Sequence, residues 1–343
     1  MLDFLRVATR QPRKGVLEIY PKFIFDHSSD LMIRGGDFYA IWDENKNLWS
    51  TDELDAARLI DDELRAYTKS HANDYSDLLV QVMYMWDTDS GSVDKWHKFV
   101  QKQCRDSFHL LDEELTFENT IVTKESYVSK RLPYSYENAP TPAWDEIIGT
   151  LYSQEERAKL EWAIGAIVTG ESKNLQKFIV MYGAPKTGKS TILNIIQKLF
   201  DGYWCPFDAK VLGSSNSSFA LEAFRGNPLV AIQHDGDLSR IEDNTRLNSL
   251  VSHEVMTVNE KFKSSYAARF NTFLFMGTNK PVRITDAKSG IIRRLIDVSP
   301  SGNRIPAERY RELMEQVKFE LGGIAAHCKT VYESDPHMYD EYI

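Results

Sequence analysis

The chain has 343 residues, an apolar fraction of 42%, a charged fraction of 27% and a formal net charge of −9. These values are ordinary for a soluble globular protein with room for two or three domains, and the acidity excludes one that coats duplex DNA with its whole surface. No apolar run approaches the roughly 18 residues that cross a bilayer. The amino terminus carries no apolar stretch ahead of a small-residue cleavage site, so a cytoplasmic protein with no membrane partner is expected. Cys104, Cys205 and Cys328 are widely spaced and outside any C-x-x-C pair, which points to reduced thiols rather than a disulfide framework or a zinc knuckle.

In chain order, residues 19–25 and 38–49 read as strands, the second folding back at Asp43–Asn47. Asp52 opens a helix with Leu54, Ile60, Leu64 and Tyr67 on one side, and a further helix starts at Ser92 with Val93, Trp96, Phe99 and Val100. Residues 1–118 thus form a mixed α+β module. Asp87 and Asp89 fit a polar turn better than a metal pair. The polar stretch 119–141, ending in a proline-rich turn, connects regions. Ser153 and Glu156 have the spacing of a capping box for a helix ending near Gly170. The apolar strand Phe178–Tyr182 follows.

Directly after that strand comes Gly183-Ala184-Pro185-Lys186-Thr187-Gly188-Lys189-Ser190-Thr191, a full G-x-x-x-x-G-K-S phosphate loop that runs into an apolar-faced helix. The glycines let successive backbone N–H groups turn toward phosphate oxygens at a helix amino terminus. Lys189 supplies charge to the β- and γ-phosphates and Ser190 a hydroxyl to Mg²⁺, so ATP and Mg²⁺ are the expected ligands. The buried strand 229–232 then ends at Gln233-His234-Asp235-Gly236-Asp237, offering Asp235 as the metal-side carboxylate and Asp237 or His234 to orient or deprotonate water. Which aspartate does which stays open. A second buried strand, 273–276, ends at Asn279, placed to bond the γ-phosphate and the attacking water. Arg293 and Arg294, flanked by isoleucines and leucine, suit neutralisation of charge on a transferred phosphoryl group, often across a subunit interface. Between the two strands, Lys261, Lys263 and Arg269 alternate with Phe262, Tyr266 and Phe270 in a hairpin pattern. That pattern fits a grip on single-stranded nucleic acid as well as an ordinary charged hairpin edge.

This set of motifs resembles the superfamily 3 helicases, and more closely the phage and poxvirus primase–helicase branch. The similarity covers about residues 119–300, and residues 1–118 only loosely. It implies an AAA+-like α/β P-loop ATPase with a mixed α+β and helical amino-terminal region, assembled as a hexameric ring that moves along single-stranded DNA with other replication proteins in the bacterial host cytoplasm. In those terms Lys189 and Ser190 bind nucleotide and Mg²⁺, and Asp235 with His234 or Asp237 forms the second motif. Lys261 and Lys263 lie in the DNA-contacting hairpin, Asn279 is the sensor, and Arg293 or Arg294 is the finger. The expected organisation is an accessory or collar module over 1–118, a connecting helical segment over 119–172, the ATPase core over 173–305 and a carboxy-terminal helical segment over 306–343. Residues 1–118 are too few for the branch's polymerising domain, so no primase activity is expected. The winged-helix region that often follows in relatives does not appear before Ile343, as in a truncated or short form.

Overall fold

The computed structural model describes every residue except 25–27, 36–37, 103–108, 242, 262–263, 281–289 and 343. Cys104, Phe262, Lys263, Pro281 and Ser289 lie outside the described residues. The chain forms two compact units, one of residues 1–112 with 121–130 and the other of 113–120 with 131–343.

In the first unit, β1 (Leu5–Arg13), β2 (Val16–Phe23), β3 (Leu31–Gly35), β4 (Phe38–Asp43) and β5 (Leu48–Ser50) precede α1 (Glu53–Ser70), β6 (Leu79–Val82) and α2 (Ser92–Lys102). They build two three-stranded sheets, ordered β1-β2-β6 and β3-β4-β5. The expected fold-back appears as the β4–β5 hairpin, with Trp42 opposite Trp49. Asp52 caps α1 by accepting from the Leu54 N–H at 2.9 Å, satisfying one of the free donors of the first turn. Leu54 itself is 65% exposed. The buried face of α1 runs instead through Ala56, Ala57, Leu59, Ile60 and Leu64, because the two alanines let the helix approach its neighbours closely.

The second unit contains α3 (Pro142–Leu151), α4 (Gln154–Val168), β7 (Phe178–Tyr182), α5 (Lys189–Leu199), β8 (Trp204–Pro206), α6 (Ala209–Leu212), β9 (Val230–Gln233), α7 (Thr245–Val251), β10 (Val255–Val258), β11 (Tyr266–Arg269), β12 (Phe273–Thr278), β13 (Leu295–Val298), α8 (Ala307–Val317) and α9 (Leu321–Ser334). Its centre is a five-stranded sheet in the order β13-β7-β12-β9-β8, in which every neighbouring pair is parallel. This is an α/β fold. Strands covered on both faces need unbroken apolar sequence, and β7 (FIVMY) and β12 (FLFMGT) supply it. Alternation along β7 sends Ile179 and Met181 into one apolar cluster and Phe178 and Val180 into the other. Each such buried side chain contributes about 1.5–3 kcal/mol relative to exposure.

Two carboxylates organise the helices on the first of these faces. Glu320 accepts from the N–H groups of Ala143 (3.1 Å) and Trp144 (3.0 Å), capping α3, whose first residue Pro142 has no N–H to satisfy. Ser153 caps α4 by accepting from the Glu156 N–H at 3.4 Å. The reciprocal half of the capping box is not made, because the Glu156 carboxylate accepts from Lys159 Nζ (2.9 Å) and from the Ser299 N–H (2.8 Å).

Candidate functional site

In a parallel sheet all carboxyl ends open on one edge, and ligands bind there where the chain reverses strand order. β7 leads into the loop 183–188 at that edge. Gly188 sits at φ +94°, and a Cβ there would lie 2.6 Å from the Leu151 side chain, so the last turn before α5 admits only glycine. Lys186 also holds a left-handed conformation, φ +67°.

Lys189 is buried, and its ammonium donates to the carbonyls of Gly183 and Ala184 and, at 2.9 Å, to Asn279 Oδ1. Burial lowers the Lys189 pKa, and Asp235 partly restores it. Asn279 Nδ2 in turn reaches Asp235 Oδ1 at 3.5 Å. Lysine, asparagine and aspartate therefore form one chain of contacts across three adjacent strand ends. The loop after β9 is tied to the end of β12, since the Gly236 N–H donates to the Gly277 carbonyl at 2.8 Å. A Cβ on Gly277 would stand 2.5 Å from the His234 carbonyl, which explains the glycine at this crossing.

These groups line a cavity of about 620 Å³ together with Ser190, Thr191, His234 and a wall formed by Leu151, Arg304, Ile305 and Tyr310. Three cations, Lys186, Lys189 and Arg304, face a single carboxylate, Asp235, so the cavity favours an anion. Pro185 also lines it, whereas Thr187 Oγ1 donates to the Ala184 carbonyl at 2.8 Å within the loop. His234 shares a hydrogen bond with the Gln197 side chain at 2.6 Å.

Other candidates stand elsewhere. Asp237 does not line the cavity. It accepts from the Ser239 side chain and backbone N–H and pairs with Lys280 at 3.1 Å, contacts that hold its pKa down at about 2. Arg293 and Arg294 form a single 3-10 turn just before β13. Because Leu295 pairs with Phe178 at the start of β7, both arginines lie at the amino edge of the sheet. The length of β7, about 16 Å, separates them from the loop that follows it. Arg294 is buried and donates to Ser252 Oγ and the Gly290 carbonyl, both at 2.9 Å. Arg293 is exposed.

The hairpin read from the sequence is present as β10 paired with β11. Lys261, at its turn, lies 5.9 Å from the centre of the Phe219 ring, and Arg269 is exposed at the end of β11. Cys205 and Cys328 are free thiols. Burial pushes Cys205 up to about 12 and Cys328 well above the ordinary thiol range, so both stay protonated. Among the described residues no group of three or more His, Cys, Asp or Glu is placed to hold a metal ion, and no helix is long and apolar enough to cross a membrane.

The fold and cavity together define a parallel α/β protein with a loop bounded by Gly183 and Gly188, beside a cation-lined cavity, at the carboxyl edge of its sheet. A family of unknown function, DUF5906, matches residues 181–294, the span from the end of β7 to the arginine pair. Among solved structures, the A form apo structure of the NrS-1 C-terminal region aligns with a TM-score of 0.52 at 10% identity, covering 91% of this chain and 72% of that one. The apo structure of the NrS-1 C-terminal region, residues 305–718, also aligns with a TM-score of 0.52 at 10% identity, covering 89% and 72%. Likeness at this identity speaks for a shared fold.

The sequence pattern missed Arg304, Tyr310, Ile305 and Leu151 as cavity residues. Leu151 ends α3 and the other three follow β13, so no local spacing marks them. They are joined by contacts distant in sequence: the Ser301 N–H donates to the Leu151 carbonyl at 2.8 Å, Ser301 Oγ donates to the Thr150 carbonyl at 2.7 Å, and Arg309 of α8 pairs with Glu146 of α3 at 2.6 Å.

Proposed function

We propose that this chain is an ATP-driven motor of the superfamily 3 type that moves along single-stranded DNA in the replication of a phage or mobile element. The observation that carries the reading is the Lys189–Asn279–Asp235 chain, which brings the phosphate-loop lysine, a polar strand-tip residue and an acid to one cavity. The strand order agrees, since β12, bearing Asn279, lies between the strand of the phosphate loop and the strand of the acid.

In this reading, the backbone N–H groups of Ala184 and of residues 186–189, with the Lys189 ammonium, hold the β- and γ-phosphates. Lys189 gives up its loop-carbonyl contacts as phosphate oxygens arrive. Asn279 and Asp235 hold the attacking water as its oxygen bonds to the γ-phosphorus and the bond to the β,γ-bridging oxygen breaks. Ser190 and Asp235 present oxygen donors in the same cavity, the hard ligand type that Mg²⁺ takes. The ion, when bound, neutralises charge on the phosphate oxygens. Arg293 is too far from its own loop to serve it, so it acts on nucleotide held by a neighbouring subunit. That requirement makes the active form a ring or stack of copies, and Lys261 on the hairpin is the residue that grips the strand.

The test is phosphate release by the wild type and Lys189→Ala, with and without single-stranded DNA, alongside particle mass with a nucleotide analogue. The reading expects a larger assembly, turnover stimulated by DNA, and a loss of at least about a hundredfold in the variant. Turnover indifferent to DNA would replace the motor with an ATPase that remodels a protein partner. Turnover surviving in Lys189→Ala would remove the site altogether.

A further inference from the structure

The open face of the β1-β2-β6 sheet lies in the first unit. The register pairs Arg6 with Lys22, Ala8 with Tyr20 and Arg10 with Glu18. Residues opposite one another in an antiparallel pair, and those two apart along a strand, share a face. The other face carries Leu17 and Ile19 into an apolar cluster with Leu64, so the charged set points away from the core. Tyr20 lies at its centre, with the Arg10 guanidinium 5.3 Å and the Lys95 ammonium 5.5 Å from its ring centre.

Lys95 comes from α2, which buries Trp96 and Val100. Lys95, Lys98 and Lys102 recur at helical spacing along the flank of that buried stripe, and all three are exposed. Arg10 is paired with Glu18. Arg6, Lys22, Lys95, Lys98 and Lys102 have no carboxylate partner among the described residues. In a chain of net charge −9, the first 24 residues hold five basic and two acidic side chains.

Solvated cations scattered singly need no explanation. Here Arg10 and Lys95 meet on one ring, Arg6 and Lys22 stand opposite one another on the same sheet face, and Lys98 and Lys102 continue the charge along α2, neighbouring spacings comparable to a Debye length of roughly 8–10 Å. Like charges held this close repel, and a line of anions relieves the repulsion. Arg6 and Arg10 are about 13 Å apart along the strand, a row of charge rather than a point.

We infer that this face binds the phosphodiester backbone of a nucleic acid, with Arg6, Lys22, Lys95, Lys98 and Lys102 contacting phosphates and Tyr20 holding Arg10 and Lys95 in place. This goes beyond the motor reading and stands without it, since none of these residues touches the nucleotide cavity or the hairpin.

The experiment compares the full chain with Arg6→Glu/Lys22→Glu/Lys98→Glu, all exposed positions, by anisotropy of a dye-labelled oligothymidylate and of a duplex of equal length over a salt series. Thermal melting and DNA-free ATP turnover confirm that the variant is folded. The expected result is affinity at least about tenfold weaker and a shallower dependence of log K on log salt. The slope should fall by about 0.7 for each single-strand phosphate that is no longer neutralised, and by about 0.9 for each duplex phosphate. The oligomer whose binding weakens more identifies the strand form bound. Unchanged affinity and slope for both would overturn the inference. Lys261→Ala, measured in parallel, separates the two readings. If it alone removes binding, this face is not a nucleic-acid site; if only the triple variant does, the hairpin grip fails and this face stands.

Discussion

The two edges of the five-stranded sheet handle their charged groups in opposite ways. At the carboxyl edge, Lys189 makes hydrogen bonds to two loop carbonyls and to Asn279, and Asn279 reaches Asp235. At the amino edge the arginine pair is divided, Arg294 buried against Ser252 and Gly290 and Arg293 left exposed. The contacts of Lys189 with Asn279 and of Asn279 with Asp235 hold these three side chains beside one another at the cavity. The exposed Arg293 guanidinium is accessible from outside the chain, whereas the Arg294 guanidinium is not. In the motor reading, one edge receives nucleotide and the other edge acts on the nucleotide of the next copy.

The strongest way to break this contrast is Arg293→Ala. Turnover should fall by about a thousandfold with nucleotide affinity close to wild type, as measured by steady-state phosphate release and by equilibrium titration. Mixing that variant with Lys189→Ala should recover part of the activity, because a sound loop can then meet a sound arginine across an interface. No recovery, with turnover intact in Arg293→Ala, would return the residue to the solvated surface. Arg294→Ala should act chiefly on the fold. Removing its two buried hydrogen bonds should cost about 1–3 kcal/mol, read as a lowered denaturation midpoint.

Smaller effects sharpen the carboxyl edge. Because burial lowers the Lys189 pKa, the decline of nucleotide affinity at alkaline pH should begin below the ordinary lysine range, and bound nucleotide should shift it upward. Asp237, held at about 2 by Ser239 and Lys280, has a folded pKa below its unfolded value. Its stabilising contribution is therefore complete above the unfolded carboxylate range and is lost as the pH falls through about 2. Since Lys280 is exposed and Asp237 partly so, that contribution is below about 1 kcal/mol. Asp237→Asn should leave the pH profile of turnover in place, whereas a vanished limb would mean that Asp237 handles the proton after all.

Much of the cavity lining was legible because its parts are local. A phosphate loop requires a strand, glycines, Lys-Ser and a helix in immediate succession, and 178–199 has them in that order. Strand-tip residues such as Asn279 follow from an apolar run that stops. The roles of Arg293 and Arg294 were not separable, since adjacent residues in a 3-10 turn point apart and only the position of Ser252 decides which is buried. Asp237 carried a readable sign, an Asp-x-Ser turn in which the carboxylate bonds its own chain two residues on. The cavity wall of Arg304, Ile305 and Tyr310 carried none, because it is built from the loop before α8 and the first turn of α8, brought to the cavity by contacts with α3.

Strand β12 has a mechanical consequence. Every one of its six residues is buried, and its amino end is fastened by Asn271 to Asn227 at 2.8 Å and by Phe273 to the Leu229 carbonyl at 2.8 Å. β11, which ends at Arg269, feeds straight into that end, and Asn279 sits just past the other. Close-packed interiors compress little, so the strand behaves as a connecting rod about 20 Å long. In the motor reading, the hairpin and the nucleotide act on opposite ends of this one strand.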